Sequence, residues 1–142
     1  MDEIVIKWLC YPDFFKLYAA HNSDQKLIYV IGRTHHCYIG SVGSKGGTGG
    51  LARRYEKQYL DLARTIFGRD LPENQPAYTG LFVTPADPPP KLIEAVEKII
   101  QKIFLDKLGE SAALFALRGT VEPLDVKNRG QVPSFLSADG NA

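Results

Sequence analysis

Two tyrosines, Tyr29 and Tyr38, sit in neighbouring β-rich runs, an arginine pair, Arg53 and Arg54, follows in a stretch of helical periodicity, and Glu97 stands at the rim of a later apolar stripe. These side-chain types suit hydrolysis of a phosphodiester. That reaction needs a water nucleophile, neutralisation of charge growing on the phosphoryl oxygens, and help for the departing 3′ oxygen. A divalent ion held by one carboxylate can supply the last two. An arginine offers planar donors to the phosphate. A tyrosine hydroxyl can take the water's proton only if its ordinary pKa of about 10 is lowered by a nearby cation, or if the proton leaves in concert with attack.

The elements that must position these groups are readable from periodicity. Lys26 to Gly32 and Cys37 to Val42, joined by Arg33-Thr34-His35-His36, have the pattern of a hairpin that places Tyr29 and Tyr38 on adjacent antiparallel strands. Five glycines between Gly43 and Gly50 leave little but loop. A helix is predicted from Leu51 to about Phe67, stopped by Gly68, with Arg54 and Gln58 on one flank. Tyr78 to Thr84 reads as a third strand. Pro88-Pro89-Pro90 can open a helix whose stripe of Leu92, Ile93, Val96, Ile99, Ile100, Ile103 and Phe104 ends near Gly109. At about 100° per residue, Glu97 lies at the edge of that stripe and Glu94 well outside it, toward solvent. Upstream, Ile4 to Trp8 is strand-like and Phe14 to Tyr18 can form a helix. Downstream, a short helix is predicted near 111–118, before a tail rich in Gly, Pro, Ser and Asn.

With 142 residues and 44% apolar content the chain suits one compact domain. The expected division is 1–26 as an N-terminal extension packed on the core, 27–128 as the functional domain, and 129–142 as a C-terminal tail without fixed structure. The net charge of +1 advertises no nucleic-acid partner through a bulk field, so such a partner must be met by local charge. Cys10 and Cys37 are too few for a disulfide framework. An acidic start with no long apolar run argues against a signal peptide, and no stretch approaches membrane-spanning length. A cytoplasmic protein is the expectation.

The block from Leu27-Ile28-Tyr29-Val30-Ile31 through Tyr38-Ile39-Gly40-Ser41, the glycine loop and Leu51-Ala52-Arg53-Arg54-Tyr55 resembles the core of the GIY-YIG nucleases. The resemblance runs from about Leu27 to Gln58 and extends to Glu97. It implies a single small α/β (α+β) domain, with a three-stranded antiparallel sheet flanked by helices and an active site on one sheet face. It also implies a metal-dependent DNA endonuclease with Tyr29, Tyr38, Arg54 and Glu97 in the site. Glu97 would be the ligand of one Mg²⁺ or Mn²⁺, and Tyr29 would orient and deprotonate the water. The phasing of the motif favours Arg54 over Arg53. Lys45, Arg53, Gln58, Asn128 and His36 are candidate DNA contacts. The glycine-rich loop favours a restriction or homing type over an excision-repair type. No separate recognition domain is visible, so specificity would fall to loops, a homodimer partner or another subunit.

Each residue also has a plainer use. Tyr29 and Tyr38 could be strand aromatics packing across a hairpin, Arg54 a solvated helix residue, Glu97 a surface acid and Asn128 part of an Asn-Arg-Gly turn. Leu27 and Gln58 stand where the family pattern has glycine and, frequently, histidine. A module that binds nucleic acid without cutting it is therefore the competing reading, and a structural interaction domain is the third. Lys45 to Leu51 looks like a variant phosphate-binding loop but lacks the Lys-Ser/Thr pair that loop requires. His35-His36-Cys37 has no second ligand pair at useful spacing for a transition metal.

Overall fold

A computed structural model describes residues 3–21, 26–33, 36–43, 76–113 and 115–137. The glycine loop beyond Gly43, the helix expected at 51–67 and the candidate residues Lys45, Arg53, Arg54 and Gln58 lie outside the described residues.

The described residues form a small α+β domain. In chain order they are β1 (Ile4–Tyr11), α1 (Phe14–His21), β2 (Leu27–Arg33), β3 (His36–Val42), β4 (Ala77–Thr84), α2 (Pro90–Leu108), a 3₁₀ turn (Glu110–Ala112), β5 (Val126–Gly130) and α3 (Ser134–Ser137). The sheet order is β3-β2-β4-β1-β5. All neighbours pair antiparallel except β1 and β5, which run parallel.

The three expected strands appear as β2, β3 and β4, but among the described residues the sheet has five strands and is mixed, which corrects the expected three-stranded antiparallel sheet. The reason is non-local. β1 is not an edge appendage but lies between β4 and β5, with Ile6 and Trp8 fully buried. β5 has the polar, glycine-ended sequence Val-Lys-Asn-Arg-Gly and is held by its backbone ladder to β1, with Gly130 at φ 84 closing the strand. Any Cβ at Gly130 would stand 2.6 Å from the Trp8 carbonyl oxygen. The helix expected at 111–118 is only the 3₁₀ turn Glu110–Ala112.

Alternation along β2 divides the core into two layers. Ile28 and Val30 face α2, packing with Trp8, Ile39, Ile93, Val96, Ile100 and Phe104. Leu27, Tyr29 and Ile31 face the other way, toward Phe14 and Leu17 of α1. The α2 helix starts at Pro90, where a missing N–H costs no helical hydrogen bond. It ends at Gly109, whose φ of 86 suits glycine and whose N–H donates to the Leu105 carbonyl at 2.9 Å. No helix among the described residues is long and apolar enough to cross a membrane.

Candidate active site

The hairpin of β2 and β3 sets the tyrosines. Tyr29 pairs with Gly40, and Tyr38 pairs with Ile31, so both rings share the α1 face. Their centroids are 5.9 Å apart with planes inclined by 20°, a stacked pair. An ideal Cβ on Gly40 would lie 2.6 Å from Tyr29 Oη and 2.7 Å from Cζ. The Tyr29 ring therefore lies across residue 40 of the edge strand, which only a missing side chain permits. Gly40 is needed here for close approach, not for an unusual backbone angle.

Glu97 reaches the same edge from the opposite layer. Ile39 and Ser41, flanking Gly40, point to the α2 side. There the Ser41 hydroxyl donates to Glu97 Oε1. Gln101, one turn further along α2 and buried, donates from Nε2 to Glu97 Oε2 at 3.1 Å and to the Ile39 carbonyl at 3.0 Å. The carboxylate is thus oriented by a strand hydroxyl and a helix amide. Tyr29, Tyr38, Ser41, Glu97, Lys98 and Arg118 are among the residues lining one cleft of about 290 Å³. The tyrosines and the carboxylate come from opposite layers and meet at the β3 edge, which differs from the expected site on a single sheet face.

Glu94, expected in solvent, also lines the cleft and pairs with Lys98 at 3.4 Å. Residues 94, 97, 98 and 101 follow the i, i+3, i+4, i+7 pattern, so one polar flank of α2 faces the cleft. That polar flank beside an apolar stripe was the available sequence signal for Lys98 and Gln101. Arg118, from the segment after the 3₁₀ turn, carried no such signal.

Asn128 has a different position. It lies on β5, where its Oδ1 accepts the indole N–H of fully buried Trp8 at 2.8 Å, and it does not line the cleft. His36 is exposed at the start of β3, opposite Arg33, and likewise does not line it. A second cavity, about 460 Å³, opens against Val30, Cys37, Tyr78 and Phe135. Burial pushes the Cys37 thiol up to about 12, leaving it without nucleophilic character at neutral pH.

Among the described residues no three His, Cys, Asp or Glu side chains gather as a metal cage. The donor set at Glu97 suits a different kind of ion. A carboxylate has about four acceptor positions, and hydrogen bonds to its two oxygens fix its orientation in the manner of an outer-shell brace. A hard divalent ion that keeps several waters and takes one carboxylate plus phosphate oxygens fits such a site.

No family model matches the chain, and no curated protein or solved structure matches it either.

Proposed function

We propose that the protein is a metal-dependent DNA endonuclease of the GIY-YIG kind, hydrolysing phosphodiester bonds at the β3 edge. One observation carries this reading. The Tyr29 ring, laid over Gly40, and the Glu97 carboxylate, braced by Ser41 and Gln101, line the same cleft although they belong to opposite layers of the core. A plain packing role for a buried strand tyrosine does not call for a glycine beneath its ring or for a braced carboxylate across the strand.

In this reading Tyr29, as the phenolate, accepts the proton of the attacking water as the water oxygen bonds to phosphorus and the P–O3′ bond breaks, and the departing 3′ oxygen takes a proton from solvent. Tyr38, stacked on Tyr29, fixes the ring plane. Arg54 donates to the non-bridging oxygens of the scissile phosphate. Glu97 would hold Mg²⁺ or Mn²⁺, which when bound neutralises charge on a phosphoryl oxygen and on the departing 3′ oxygen. Ser41 and Gln101 keep the carboxylate aimed into the cleft. The products are a 5′-phosphate and a 3′-hydroxyl.

Supercoiled plasmid tests this. Nicking is expected with Mg²⁺ or Mn²⁺ and not with chelator, and Tyr29→Phe should lower the rate by about 10²–10⁴-fold. Unchanged cleavage by Tyr29→Phe would remove the general-base role. Intact plasmid under every ion would overturn the hydrolytic reading.

A further inference from the structure

Two cations of the cleft have no part in the scheme above. Lys98 follows Glu97 on α2, and Arg118 approaches from the segment after the 3₁₀ turn. Arg118 is exposed, and the Lys98 side chain is 25% exposed, with its ammonium 3.4 Å from Glu94. The turn that brings in Arg118 passes through Gly119 at φ 80, a left-handed conformation that suits glycine. An ideal Cβ there would stand 3.1 Å from Lys98 Nζ. The backbone angle alone disfavours a side chain at residue 119, and the 3.1 Å contact shows that the Lys98 ammonium lies against the turn next to Arg118.

The charges give the ligand class. Glu94 and Glu97 balance Lys98 and Arg118 among the described residues of the cleft. A divalent ion on Glu97 would leave that balance positive, and the cleft would then favour an anion. Lysine as a point charge and arginine as a planar fork together suit a phosphodiester.

We infer that Lys98 and Arg118 form a clamp for a backbone phosphate of the bound nucleic acid, next to the reacting one, so that the strand runs along the α2 side of the cleft. This rests on the nuclease reading for its partner, but it concerns binding and is separable from hydrolysis. The clamp contributes no base contact, so it acts alike on every sequence.

The test is anisotropy of a labelled DNA duplex with Ca²⁺ in place of Mg²⁺, across a salt series, for wild type, Lys98→Ala, Arg118→Ala, Arg118→Lys and a control outside the cleft lining, Lys16→Ala. Arg118→Ala is expected to weaken binding about tenfold and lower the salt slope by about 0.9, the value of one phosphate contact. Lys98→Ala should act in the same direction, Arg118→Lys should recover most of the slope, and Lys16→Ala should match wild type. The exposed position of Arg118 makes its variants safe for folding, which thermal melts check. If Arg118→Ala and Lys98→Ala bind with wild-type affinity and slope, or if the wild type does not bind the duplex, the clamp is overturned. Arg118-dependent binding without cleavage in Mg²⁺ would support the clamp and refute the hydrolytic reading. Cleavage with binding indifferent to both cations would do the reverse.

Discussion

Gly40→Ala probes the placement of Tyr29 without any substrate. The new Cβ would stand 2.6 Å from Oη, 2.7 Å from Cζ and 3.1 Å from Cε2 of the ring. An exposed ring would swing aside at little cost. Tyr29 is 1% exposed and packs among Phe14, Leu17, Leu27 and Ile31, so its displacement pushes on buried neighbours. Overpacking of this kind costs about 1–3 kcal/mol. Against it, alanine restricts the unfolded chain, a gain of about 0.4–1 kcal/mol. The steric term wins by about 1–2 kcal/mol, which for a chain of this size lowers the melting temperature by about 3–8 °C. A double-mutant cycle isolates the cause. In a Tyr29→Leu background no ring covers residue 40, so Gly40→Ala should be neutral or slightly stabilising, and the coupling should be about 1–3 kcal/mol. Urea denaturation of the four proteins measures it. Additive effects would show that the ring does not lie over Gly40, and the path that brings Tyr29 to the cleft would be wrong.

Three further outcomes are expected. Gln101→Leu removes the amide that links Glu97 to the Ile39 carbonyl, so affinity for Mn²⁺ by calorimetric titration should fall about 10–100-fold; unchanged affinity would deny Gln101 that role. Asn128→Ala orphans the buried Trp8 indole N–H and should cost about 1–3 kcal/mol of stability in urea while leaving cleavage per folded molecule intact; lost cleavage at full folding would return Asn128 to the site. Burial raises the Cys37 thiol from 9.0 to about 12, so below the lower value both folded and unfolded states keep the proton. Between those values the unfolded chain releases its proton first, and stability falls with rising pH. Cys37→Ala should lose less stability over that window than wild type in denaturation at stepped pH, and in native protein near pH 8 a thiol reagent should label exposed Cys10 but not Cys37.

The local signals were strong where an element's own side chains decide it. The alternation in Leu27-Ile28-Tyr29-Val30-Ile31 predicted a strand over Lys26 to Gly32 and the stripe of α2 a helix ending near Gly109, and the structure has β2 at Leu27–Arg33 and α2 at Pro90–Leu108. What the sequence concealed is set through space. Val126–Gly130 has no strand-like apolar pattern because it is an edge strand held by backbone bonds to β1, and Asn128 reads as a turn until Trp8 is beside it. At the candidate site, Tyr29, Tyr38 and Glu97 were visible as residues. That they approach from opposite layers depends on which face each strand residue takes, and on Gly40 leaving room for a ring to cross the edge. Ser41 and Gln101 act through Glu97, and Arg118 through the fold of an irregular segment, so neither periodicity nor motif marks them fully.

Plasmid nicking in Mg²⁺ or Mn²⁺ by wild type and Glu97→Gln at equal folded concentration asks whether the Glu97 carboxylate directs hydrolysis. Glutamine keeps the shape of the side chain and one acceptor oxygen while removing the charge that a divalent ion requires. Ion-dependent nicking is expected of wild type, with a loss of about 10²-fold or more in Glu97→Gln and the fold unchanged. Equal nicking by the two proteins, or none by wild type, would contradict that expectation.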